Sequence, residues 1–262
     1  MEDKRKIITR LRPIDDMFME KLFESKEVCE EVLRTILEMP DLKVVKVTPQ
    51  NSIRNLQGRS VRLDALCKRE DGSYCNIEVQ KQNKENHIKR VRYNTSCITA
   101  NITEPGEKFE KVPDVYMIYI TNFDIFKGKK TVYHVDSIIR ETGEMVENGL
   151  HEIYVNTKVD DGSTIAELMK CFKQTEVNHK KFPRLSERIK YFKQDEEGVT
   201  NMCQIVDEYA RKYAKKAVKE AQMETKIETI ISLLKKGLLT LKDAAAELEI
   251  SEEKLKETYL AS

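Results

Sequence analysis

The sequence lacks an excess of charge of either sign. Forty-six Lys and Arg stand against forty-five Asp and Glu in 262 residues, a formal net charge of +1. Any surface for a polyanion must therefore come from local clustering. Long apolar runs are missing as well. None reaches membrane-spanning length, and Met1 to Lys6 has no hydrophobic segment of the signal-peptide kind, which leads us to expect a cytoplasmic protein with no membrane partner. The six cysteines include no Cys-x-x-Cys and are irregularly spaced, which argues against a disulfide scaffold and a zinc site. The four histidines, His87, His134, His151 and His179, are scattered without ligand spacing, so a histidine metal centre or a Cys/His nucleophile finds no support. The length suits one main domain with an appendage.

The most informative stretch runs from Val61 to Gln80. Val61, Leu63, Ala65 and Cys67 alternate with Arg62, Asp64 and Leu66, and after a turn Cys75, Ile77 and Val79 alternate with Asn76, Glu78 and Gln80. Alternation of period two predicts two strands, each with an apolar face. Pairing those faces sets Leu63 against Val79, Ala65 against Ile77 and Cys67 against Cys75, leaving the loop Glu70-Asp71-Gly72. Such a loop favours a left-handed glycine at its third position, where Gly72 falls. The same register sets Asp64 against Glu78 and Arg62 against Gln80. Carboxylates on facing residues repel each other unless a cation lies between them. Cys67 opposite Cys75 reads as two small buried side chains.

Upstream, Pro13 and Asp15-Asp16 open a helix carrying Met17, Phe18, Leu22 and Phe23, so Asp16 either caps that helix or faces the same site as Asp64. A second helix has the stripe Val28, Cys29, Val32, Leu33, Ile36 and Leu37 and ends before Pro40. Leu42 to Val47 reads as a strand, and Gly58 as a turn into the hairpin. Beyond Gln80, Ile88, Val91, Thr95, Ile98 and Ile102 mark a helix whose first half carries Lys84, Lys89, Arg90 and Arg92. These are either phosphate contacts or a solvated face. Val115 to Ile120 is a central strand covered on both faces, Thr131 to Val135 and Glu152 to Asn156 are weaker strands, and Thr164 to Phe172 is a helix behind a capping box. On this reading the core occupies residues 1–172, a tether with a short amphipathic helix 173–200, and a helical appendage 201–262. The appendage has an apolar stripe through Met202, Ile205, Tyr209, Tyr213 and Ala217, for which dimerisation is the simplest use. It also carries a basic stripe, Arg211, Lys212, Lys215, Lys216 and Lys219. Two short helices follow Gly237, the second too acidic to read bases.

Taken together, strand, Asp64, turn, strand with Glu78-Val79-Gln80, then a helix with Lys89-Arg90-Val91-Arg92-Tyr93 resemble the PD-(D/E)XK nuclease superfamily. More narrowly, the chain resembles its Rpn-type branch of recombination-promoting nucleases and transposases. The likeness extends to the opening helix Pro13 to Phe23, the approach Asn55 to Asp64, the later core at Gly106 to Phe109 and Tyr116 to Phe126, and the tail from Gly237 through Ser251.

The resemblance implies an α/β (α+β) restriction-endonuclease-like core, a mixed central sheet flanked by helices, with a helical C-terminal appendage. It implies Mg²⁺, or Mn²⁺ in its place, held by Asp64, Glu78 and the carbonyl of Val79, and DNA as substrate. Gln80 takes the place of the superfamily's catalytic lysine, and Asp16 becomes a candidate auxiliary acid. An amide carries no positive charge, so charge stabilisation must come from elsewhere, with Arg62 one candidate and Lys81 expected on the opposite face. Glu20 stands where a lysine is common. The expected activity is metal-dependent hydrolysis of DNA. The alternative is a nuclease-fold DNA-binding or oligomeric interaction protein without catalysis. A glycosidase fits poorly, since its acids must flank a sugar from opposite sides.

Overall fold

The computed structural model describes residues 2–54, 60–83 and 86–260. The expected turn at Gly58, the approach from Asn55 to Arg59, and Lys84 lie outside the described residues. The chain divides into two compact units, Met1–Cys203 and Gln204–Ser262.

The first unit is built on one mixed sheet. Strands β1 (Val44–Arg54), β2 (Ser60–Arg69) and β3 (Tyr74–Gln80) form an antiparallel meander. Strand β4 (Val115–Thr121) then joins β3 in parallel, β6 (Leu150–Asn156) joins β4 in parallel, and β5 (Val132–Val135) closes the far edge antiparallel to β6. The resulting order is β1-β2-β3-β4-β6-β5. Six strands and their flanking helices make the mixed α/β arrangement of a restriction-endonuclease-like core. β1 outruns its predicted length and tolerates Pro49 because it is an edge strand, with one side of its backbone free of ladder partners.

A parallel step from β3 to β4 requires a crossover, and α4 (His87–Ile102) supplies it. Its Val91 and Ile98 pack into a cluster with Leu63, Leu66, Met117, Tyr119 and Tyr154. The predicted stripe is displaced at its start, where Ile88 is exposed and His87 is buried instead. Ring contact with Phe123 and a 2.9 Å hydrogen bond between His87 Nδ1 and the Tyr119 hydroxyl hold that histidine.

The other helices are α1 (Glu2–Arg10), α2 (Asp16–Leu22), α3 (Lys26–Ile36), α5 (Thr164–Lys173) and α6 (Pro183–Gln194). Cys29 of α3 lies by Cys67 of β2, which places α3 against the opposite face of the sheet from α4. All six cysteines are free.

The expected tether at 173–200 is replaced by packed structure. Leu185, Ile189 and Phe192 of α6 are buried, and Phe192 meets Phe18 edge-on with ring centroids 6.2 Å apart. The start of α6 is capped from a distance: Glu31 on α3 accepts the N–H groups of Arg184 and Leu185 at 3.0 and 2.9 Å. Gly198, a linker glycine by sequence, is a packing requirement, since a Cβ there would stand 2.1 Å from the Tyr191 carbonyl oxygen. Helix α1 was not foreseen. Lys193 fastens its end by donating to the carbonyls of Thr9, Leu11 and Thr175.

Helix α7 (Glu196–Lys235) leaves the first unit and enters the second. There its end packs Ile230 with Ala244 and Ala245 of α8 (Leu241–Glu247) and Leu255 of α9 (Glu252–Leu255). No helix among the described residues is long and apolar enough to cross a membrane.

Candidate active site

The turn forms as its residues dictate. Arg69 N–H donates to the Ser73 carbonyl, three residues form the loop, and Gly72 takes φ +88°. From there the ladder runs through Lys68↔Tyr74, Cys67↔Cys75, Leu66↔Asn76 and Ala65↔Ile77. It stops where the register brings Asp64 to Glu78. Leu63 with Val79 and Arg62 with Gln80 are therefore not ladder partners.

Side chains replace the missing ladder bonds. The Val79 N–H donates to Asp64 Oδ2 at 3.0 Å, and the Asp64 N–H donates to Glu78 Oε1 at 3.3 Å. Asn76 Nδ2 adds a second donor to Glu78 Oε1 at 2.9 Å. Each acid thus holds the main chain at or next to the other.

At Asn76 and Glu78 this face of the hairpin is interior rather than solvated, while Asp64 is half-buried and Arg62 exposed. Glu78 is 2% exposed and Asn76 fully buried. Burial pushes the Glu78 carboxyl up to about 8, with repulsion from Asp64 adding to it and Asn76 and Arg90 opposing. Burial likewise pushes Asp64 up to about 6, helped by the charge of Asp16 and opposed by the Val79 N–H, Arg90 and Arg62.

The basic residues separate. Helix α4 turns about 100° per residue, so neighbours point apart. Arg90 acts on both carboxylates, Lys89 and Arg92 are exposed, and Arg92 lines a separate cleft of about 950 Å³ with Phe109, Asp114 and Glu147. Arg62 also acts on Asp64, yet its guanidinium meets Glu20 at 3.5 Å. The charge of Arg90 acts on both acids, a part that the sequence reading, which left it as either a phosphate contact or a solvated face, did not assign.

Asp15, not Asp16, occupies the N-cap position of α2, and Asp16 is exposed in its first turn with its charge felt by Asp64. Gln80 Nε2 donates to the Gln82 carbonyl at 3.2 Å. Lys81 Nζ meets Asp15 Oδ1 at 2.6 Å.

A family model for PD-(D/E)XK nuclease family transposases matches residues 15–249. The chain belongs to this family. No curated protein and no solved structure matches the chain.

PD-(D/E)XK nucleases generally use divalent metals, and the residues present suit one. Among the described residues no group of three His, Cys, Asp or Glu could hold a metal. The donor set is thus a pair of hard carboxylates, suited to an oxygen-preferring cation with waters in its shell. Their hydrogen bonds engage Oδ2 and Oε1, and two adjoining acids, one buried and one half-buried, that resist ionising are what a cation would relieve.

Proposed function

We propose that this PD-(D/E)XK transposase-family protein is an Mg²⁺- or Mn²⁺-dependent endonuclease acting on DNA phosphodiesters. The observation carrying this reading is the adjoining pair of half-buried Asp64 on β2 and buried Glu78 on β3, each held to the main chain of the other strand, with the charge of Arg90 acting on both carboxylates. Bound there, the cation would acidify a water and offset charge on the phosphate.

Asp64 and Glu78 would supply its carboxylate oxygens, with the Val79 carbonyl as a further ligand. Gln80 would orient the attacking water: its Nε2 is engaged by Gln82, so its Oε1 is the atom suited to accept a water proton. Arg90 would stabilise charge on the phosphate, the task the missing lysine leaves open. Lys89, Arg62 and Arg92 would serve more distant phosphates. Along α7, exposed Tyr213, Val218 and Met223 support pairing with a second copy through the C-terminal helices.

The test is cleavage of supercoiled plasmid with Mg²⁺ or Mn²⁺ and with EDTA, beside Asp64→Ala and Glu78→Ala. Nicking or linearisation by the unaltered protein alone, abolished by EDTA, is expected. Undiminished cleavage by either variant overturns the assignment. DNA binding without cleavage across metals marks a binding protein.

A further inference from the structure

Between β5 and β6 the chain forms a ribbon. Ile138 bridges to Met145, the Val146 N–H donates to the Ser137 carbonyl and the Ile139 N–H to the Glu144 carbonyl, and Gly143 closes the tip loop with φ +76°. Every residue from 134 to 148 is exposed. A two-stranded ribbon standing alone is at best marginally stable in water. This one turns Ile138 and Met145 to one face, 59% and 69% exposed, and Ile139 and Val146 to the other. It is also acidic: Asp136, Glu141, Glu144 and Glu147 stand against Arg140, a charge of −3 over residues 134–148. Such an arm repels phosphate and suits a surface that is both apolar and basic.

Helix α7 carries one. Its residues 210–226 are all exposed, a helical stretch that draws no stability from packing within its own chain. Ala210, Ala214, Ala217 and Ala221 recur on one face, edged by Tyr213 and Val218, 56% and 57% exposed. Alanines leave room for a ribbon backbone to come close. Arg211, Lys215 and Lys219 follow one another at every fourth residue along the Val218 side, and residues 211–219 hold Arg211, Lys212, Lys215, Lys216 and Lys219 with no acid among them. Two copies of this stretch repel each other, so its fitting partner is an acidic surface rather than a second α7.

We propose that the 134–148 arm of one copy docks on residues 210–226 of α7 in a second copy, with the apolar arm residues against the alanine face and the arm's acids against its basic flank. The inference rests on the pairing through α7 proposed above and supplies the surface that α7 meets. A two-fold dimer makes this contact twice, each arm on the other copy's helix. The contact is charge-complementary, so it weakens as salt rises.

The experiment is sedimentation equilibrium of the full chain without DNA or metal, at low and high salt, with circular dichroism as a check on folding. The unaltered protein is compared with a charge-reversed arm, Glu141→Lys/Glu147→Lys, a charge-reversed helix, Lys215→Glu/Lys219→Glu, and an arm stripped of apolar contact, Ile138→Ser/Met145→Ser. Each is expected to weaken the dimer about tenfold or more. Mixing the two charge-reversed proteins is expected to restore dimerisation, because the reversed arm of one meets the reversed helix of the other and both remaining surfaces are unaltered. Only a contact between copies gives that rescue.

If the charge-reversed helix loses the dimer while both arm variants keep it, the arm is excluded and pairing through α7 stands. A mixture of the two charge-reversed proteins that stays monomeric overturns the proposal. Should the charge-reversed arm fail to fold, Ile138→Ser/Met145→Ser decides the arm's part alone. If the unaltered protein is monomeric up to its solubility limit, or the charge-reversed helix dimerises undiminished, both the pairing through α7 and this inference fall.

Discussion

Replacing Glu78 by glutamine should stabilise the metal-free protein at pH 8 while destroying its response to metal. The folded state holds the Glu78 proton up to about pH 8 and the Asp64 proton up to about pH 6, whereas ordinary values are 4.5 and 3.8. Between those limits the folded chain binds more protons than the unfolded one, so stability falls as pH rises through about 6 and then 8. For Glu78 the gap corresponds to at most about 5 kcal/mol, and relaxation of the charged pair brings it to roughly 2–3 kcal/mol. Glutamine keeps the shape and an oxygen for Asn76 and the Asp64 N–H. It also offers an N–H to the Asp64 carboxylate, and it cannot ionise. Differential scanning calorimetry in EDTA should show Glu78→Gln melting roughly 5–10 °C above the unaltered protein at pH 8, and little above it at pH 5. Millimolar Mn²⁺ should raise the melting temperature of the unaltered protein alone. An equal shift at both pH values, or a less stable variant at pH 8, would refute the reasoning.

Three further outcomes follow from single contacts. Arg90→Ala should reduce cleavage about 100-fold or more in single-turnover assays, with Arg90→Lys intermediate because a point charge replaces a planar fork, and an unchanged rate would remove Arg90 from the chemistry. Glu31→Ala, which strips the remote cap from α6, should cost about 1–2 kcal/mol in urea unfolding without altering the metal-induced shift. Gly198→Ala should cost about 1–3 kcal/mol through the clash with the Tyr191 carbonyl, and a neutral result would show that the junction of α6 and α7 can yield.

Much of the core can be read from the sequence because its signals are local. Alternation in Val61 to Gln80 and the glycine at position 72 specify the turn and the pairing near it, and the unbroken apolar run Val115 to Ile120 announces a strand buried on both sides. What the sequence conceals arises from contacts between distant segments. That Arg90 rather than Lys89 or Arg92 addresses the acids depends on how α4 is rotated against the sheet. That Arg62 is held by Glu20 depends on the fold bringing α2 within reach of β2. Residues 173–200 read as a tether around a short amphipathic helix because Lys, Glu and Gln are frequent there, yet Leu185, Ile189 and Phe192 bury one face of that helix, and its cap lies on α3. Helix α1 has the same disguise, with Ile8 its buried residue amid charge.

The reciprocal grip of Asp64 and Glu78 on each other's strand bears on how such a protein would decay. Each acid closes a gap in the sheet as well as offering an oxygen to a cation, so a lineage released from selection for cleavage would suffer in folding if either were replaced by a residue without that oxygen, but not if either became its amide. Gln80, whose amide reaches only two residues along its own chain, is under no such constraint. Drift toward inactivity should therefore be unrestricted at position 80, and at positions 64 and 78 it should run toward asparagine and glutamine, which keep the accepting oxygen.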